Sequence, residues 1–139
     1  MAVNFSTDTP SDLKQKLKLK KWIKSVIERH GKKCGTVSYL FTTDEKVLQI
    51  NKQYLNHDFY TDIITFDYTE NDTVSGDIFI SADRVRENAV TFNTTFDQEL
   101  HRVIIHGVLH LIGFKDHSDK EQKIMRQKED EALCLLNSI

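Results

Sequence analysis

A chain of 139 residues with 39% apolar residues, 29% charged residues, five Gly and one Pro has the size and composition of one globular domain. It buries roughly 70% of its unfolded surface, which excludes collagen-like, low-complexity and largely disordered chains. No apolar run approaches the roughly 20 residues of a bilayer span, and the first ten residues lack the basic and then apolar pattern of a secretory signal, so a cytoplasmic protein without membrane association is expected. The formal charge of −2 hides a split: residues 14–33 hold nine Lys or Arg and one acid, a net +8, and the rest of the chain holds ten bases and twenty acids, a net −10.

The first helix is predicted from Thr9 as N-cap and Pro10 as first helical residue to a stop at Gly31. Leu19, Trp22, Ile23 and Val26 form its apolar stripe, with Lys14, Lys18 and Lys21 on the opposite side. Such a basic segment suits a polyanion such as nucleic acid. Taken by itself, the segment reads first as the solvated face of an amphipathic helix. Thr36 to Thr42 reads as a strand from its β-branched and aromatic residues, and Thr43 caps a second helix with Val47, Ile50 and Tyr54 on one face. Two strands, Asp62 to Tyr68 and Asp77 to Ser81, are expected around a hairpin connection containing Asn71, Asp72 and Gly76. Helices follow over 83–94, over 96–112, and from a capping box at Ser118-Asp119-Lys120-Glu121 to the C-terminal region. The expected fold is α+β: a single domain over 1–139, a small mixed β-sheet packed with about five helices, and a metal site on a buried central helix. Strand order is not readable. Cys34 and Cys134 belong to no CxxC pair and are expected to be reduced packing residues.

The helix over 96–112 carries the chemistry. After Arg102 it is apolar nearly all round apart from His106 and His110, and a polar group inside a buried helix needs a partner. Four residues apart, the two imidazoles share a helical face from which both reach one ion. Gly113 turns the chain back, so Phe114-Lys115-Asp116-His117 is able to return a third ligand, as in catalytic zinc sites with three protein ligands and an open position. The alternative is a pair of core histidines bonded to carbonyls or carboxylates. Gly107 occupies the place of the base in H-E-x-x-H peptidases, which argues against peptidase chemistry. His30, His57 and His101 show no ligand spacing and read as surface or packing residues.

The run His106-Gly107-Val108-Leu109-His110-Leu111-Ile112-Gly113-Phe114 resembles the H-G-x-L-H-L-x-G-[YF] signature of the YbeY family of bacterial metal-dependent endoribonucleases. Asn51-Lys52-Gln53-Tyr54, Asp58 and Thr61 to Phe66 are similar to a second family segment, and Gly76-Asp77-Ile78 to a third. The resemblance implies a zinc-dependent, single-strand-specific endoribonuclease, one Zn2+ per chain, acting in 16S rRNA 3′-end maturation and ribosome quality control. Single-stranded RNA or rRNA precursor and the ribosome or small ribosomal subunit are then the partners. The family's third ligand is usually a His six positions after the second; Asp116 holds that position here, with His117 one further. The implied metal and catalytic set is His106, His110 and Asp116, with His117 as alternative third ligand. The cap at Ser118 leaves little slack for a shifted turn and favours Asp116. Leu55 stands where the family usually has Arg, and Tyr60 where it has Pro. His117, Asp62 and Asp77 are candidate bases. A non-catalytic ribosome-assembly module with a structural metal clip is the competing reading.

Overall fold

The computed structural model describes residues 2–9, 13–58 and 60–139. The elements run β1 (Val3–Thr7), α1 (Lys16–Arg29), β2 (Lys33–Thr42), α2 (Asp44–Leu55), β3 (Ile63–Asp67), β4 (Thr73–Ser81), α3 (Ala82–Thr91), α4 (Phe96–Ile112) and α5 (Asp119–Asn137). The strands form one mixed sheet in the order β1-β2-β4-β3. β1 and β4 flank β2 in parallel, and β3 closes the sheet antiparallel to β4. The α+β architecture with five helices is as the sequence predicts.

Several boundaries differ for physical reasons. β1 is absent from the sequence reading: Val3-Asn4-Phe5-Ser6-Thr7 alternates correctly, but five residues give a weak period-2 signal. Its register Val3↔Val37 and Phe5↔Tyr39 supplies what the local sequence lacks. α1 starts at Lys16 behind a left-handed Gln15 (φ 61°), not at Thr9. Thr9 instead donates its backbone N–H to the Thr7 hydroxyl, and Pro10 lies outside the described residues. Within the helix burial begins at Leu19, since Leu17 is exposed, while Leu13 packs against the core from the segment ahead of the helix. Gly31 stops it, at φ 74°. β2 begins three residues earlier than Thr36, across a register irregularity between Cys34 and Val37. The hairpin turns at Asn71 (φ 54°) and Asp72, between Glu70 and Thr73. Gly76 lies within β4, where a Cβ would stand 2.9 Å from Leu111 Cδ2 of α4.

Strand alternation divides the sheet into two faces. Val37, Tyr39, Phe41, Ile78 and Ile80 meet the main core with Leu19, Trp22, Ile23, Ile104, Ile105 and Leu109. The other face carries α2, whose Val47 and Ile50 pack with Ile64, Phe66 and Phe79. Two buried donors tie layers together. Trp22 Nε1 donates to the Ala132 carbonyl at 2.7 Å, fixing α1 to α5, and the Tyr39 hydroxyl donates to the Ile104 carbonyl at 2.9 Å, fixing β2 to α4. Among the described residues no helix is long and apolar enough to cross a membrane.

Candidate metal centre

α4 is the central helix, and both of its ends are specified by sequence. Thr95 accepts from Gln98 N in a capping box, and Gly113 at φ 127° ends the helix in a conformation that favours glycine. The Gly113 and Phe114 amides fold back onto the Leu109 carbonyl. Four residues after Phe114, Ser118 caps α5 through Glu121 N, so the connection between the helices is short and anchored at both ends. Gly107 faces the sheet, where a Cβ would lie 2.9 Å from Ile63 Cδ1 and 3.1 Å from Ile78 Cδ1.

This framework brings His106, His110 and Asp116 together, with one ligand atom from each lying within 4.8 Å of the others. His106 Nε2 and His110 Nε2 are 2.9 Å apart, and Asp116 Oδ2 stands 3.3 Å from the first and 3.5 Å from the second. His117 is exposed and outside this group. Each imidazole has its other nitrogen engaged: His106 Nδ1 donates to Glu129 Oε2 at 2.6 Å, and His110 Nδ1 donates to the Phe114 carbonyl at 3.0 Å. The hydrogen-bonded reading therefore holds at each Nδ1, and each Nε2 is left facing the Asp116 carboxylate. The Nδ1 bonds fix the tautomer and turn both Nε2 lone pairs toward Asp116, and that donor set fits a divalent metal ion.

The electrostatics are uneven across the pair. Burial opposes a charged His106, but Glu129 on its Nδ1, with Asp116 and Asp62 nearby, outweighs burial and raises its proton affinity. His110 moves down, by burial and by the charge of His106. Protons and a metal ion would therefore compete for the pair chiefly at His106. Glu129 is itself buried and is held by Arg102 NH1 at 2.9 Å, whose NH2 reaches Asp130 at 2.8 Å.

A family model described as Endoribonuclease YbeY matches residues 4–137. The chain belongs to the YbeY family. Endoribonuclease YbeY of Parabacteroides distasonis is 58% identical over 115 residues, which are 83% of this chain and 81% of that protein. The Bacteroides thetaiotaomicron protein of the same name is 49% identical over 137 residues, covering 97% and 99%. The solution structure of TM1509 from Thermotoga maritima superimposes with a TM-score of 0.66 at 27% identity over 98% of this chain and 92% of that one.

On this YbeY framework the other candidates separate. Asp62 lines the same cleft as His106, Asp116 and Glu129, accepts from Asn88 Nδ2 at 3.3 Å, and has its carboxyl pushed up by burial. Asp77 lies on the opposite face of the sheet, in a groove with Tyr54, Tyr68 and Phe79. His30 donates to the Val26 carbonyl at 2.8 Å and packs edge-on against Phe114. His101 packs edge-on against Trp22. Glu129 escaped the sequence reading, although its signal was present: Met125, Glu129, Ala132 and Leu136 form the buried stripe of α5, and an acid on such a stripe requires a partner.

Proposed function

We propose that one zinc ion per chain, held by His106, His110 and Asp116, is the cofactor of this endoribonuclease. We infer further that its substrate is single-stranded RNA, cleaved in the maturation of rRNA at the 16S 3′ end and in ribosome quality control on the small ribosomal subunit. Endoribonuclease chemistry on RNA comes with family membership. The observation that carries the metal assignment is the convergence of two Nε2 atoms and a carboxylate oxygen whose rings are already oriented from behind. Three protein donors, the number found here among the described residues, are the count of catalytic zinc sites, whereas a structural clip uses four. This favours the enzyme over a non-catalytic assembly module. The domain is read as spanning 1–139, and a reducing cytoplasm suits the unpaired Cys34 and Cys134.

Zinc held here supplies a Lewis acid for the phosphodiester and generates a nucleophile from water near neutral pH. The protein's own residues do the rest. Glu129 and the Phe114 carbonyl hold both imidazoles in the ligating tautomer, Arg102 pairs with Glu129 in its buried position, and Asp62, in the same cleft, is our candidate for the base that takes a proton from the attacking water. An A-form duplex hides its base edges and fixes its backbone, so an open cleft of this kind favours unpaired strands.

Zinc content after dialysis tests the site. Wild type should retain one equivalent, His106→Ala and His110→Ala none, and Asp116→Ala should lose far more affinity than His117→Ala. Full retention in both His variants misplaces the site, and the reverse order for the last pair makes His117 the third ligand. Cleavage of single-stranded RNA, a matched duplex and an unstructured polypeptide by wild type and His110→Ala tests the reaction. Only the first substrate should be cut, and only by wild type.

A further inference from the structure

Two hollows of about 320 Å³ each meet beside the metal-binding group. One contains Asp62, His106, Asp116 and Glu129; the other contains Gln98, His101, Leu136 and Asn137; Phe92, Glu99, Arg102 and Arg126 border both. The two adjoin across these four shared residues, at the end of α3 and on α4 and α5, and together outline a groove. Its two arginines are in different states. Arg102 is committed to Glu129 and Asp130. The Arg126 side chain is 61% exposed, and among the described residues its ion-pair partner, Glu129 Oε1, stands 3.8 Å away, beyond hydrogen-bond distance. A guanidinium in that state keeps its planar fork of donors available for a phosphate.

Phe92 lies at the same junction, at the C-terminal end of α3, and is 61% exposed. An open aromatic face beside a loosely held guanidinium is the combination that takes a base and its phosphate. Glu99, which also borders the groove, is buried, and burial with the nearby Asp62 raises its proton affinity against the opposing charges of Arg102 and Arg126. The far end of the groove is lined by His101, whose ring faces α1. His101 packs against Trp22, and Lys18 is near enough to act on its charge. The basic run of residues 14–33 therefore abuts the end of a groove that starts at the metal-binding group.

We propose that this groove is the track for the RNA strand on one side of the cleavage point. Arg126 grips a phosphate next to the scissile one, Phe92 stacks against a base, and the strand leaves over α1 past Lys18. The inference rests on the RNA-cleaving reading above and adds where the strand lies. It also gives a use to the charge split, which the metal site leaves unexplained.

The test is binding of a short fluorescent single-stranded RNA with phosphorothioate linkages to zinc-loaded protein over a range of salt. Arg126→Ala should weaken binding about tenfold and reduce the salt slope by about one, with Arg126→Lys recovering the slope but only part of the affinity. Phe92→Ala should weaken binding about tenfold with the slope unchanged, and Phe92→Tyr should restore it. Lys18→Glu should lower both affinity and slope, and Lys52→Ala, on the far side of the sheet, neither. Zinc stoichiometry should be that of wild type throughout. If wild type binds the RNA and Arg126→Ala and Phe92→Ala bind it equally well, the track is wrong while the RNA reading stands. If wild type binds no RNA, the RNA reading fails and this inference falls with it.

Discussion

At the scale of single residues the candidate centre is organised by atoms outside the His106, His110 and Asp116 group itself. Glu129 is the strongest case, because a buried carboxylate bonded to both His106 and Arg102 costs several kcal/mol to leave unpaired. Glu129→Gln keeps the shape but removes the charge, and should lower zinc affinity between 10- and 100-fold in competition with a fluorescent chelator. His101 gives a pH signature of its own. Burial holds its imidazole below the usual value, with Asp97 opposing and Lys18 assisting. As pH falls below about 6.5, the unfolded chain takes up a proton at this position before the folded one does. Stability is therefore lost on acidification until the folded group also titrates. The fall in urea midpoint between neutral and mildly acidic pH should be shallower for His101→Gln than for wild type. The histidine pair was legible in the sequence because polar residues in an apolar helix are conspicuous. Glu129 was not, because α5 is rich in acids and only its stripe position distinguishes this one.

At the scale of elements, boundaries written in side-chain chemistry were readable, and those decided by distant contacts were not. Thr43, Thr95 and Ser118 cap α2, α4 and α5 through bonds to nearby backbone amides, a local signal. β1 depends on pairing with β2, about thirty residues away, and α1 starts only after the left-handed Gln15. Gly107 and Gly76 show the same division. Both are visible as glycines, yet their reason is the approach of α4 to β3 and β4. Gly107→Ala should cost about 1–3 kcal/mol in denaturant unfolding, because the new methyl meets two isoleucine side chains in a packed layer. A smaller loss would mean that Ile63 and Ile78 move aside without strain.

At the scale of the whole molecule the charge split and the metal-binding group belong to one side of the sheet. α1, α4 and α5 share the main core, whereas α2 covers the opposite face with its own small cluster. The composition showed a basic segment and the spacing showed a metal pair, but their adjacency comes from Trp22, which joins α1 to α5 and to His101. The short connection from Gly113 to Ser118 has a further consequence. Two donors sit on α4, one on the connection, and Glu129 on α5 grips the first from behind, so an ion bound there fastens together three stretches of chain. A ligand at 100 times its dissociation constant stabilises the folded state by about 2.7 kcal/mol, and here that gain falls unevenly. In hydrogen exchange, chelation should speed the amides of 114–129 well before those of β2 and β4. Exchange that quickens equally in every element would show that the ion is sensed only through global unfolding.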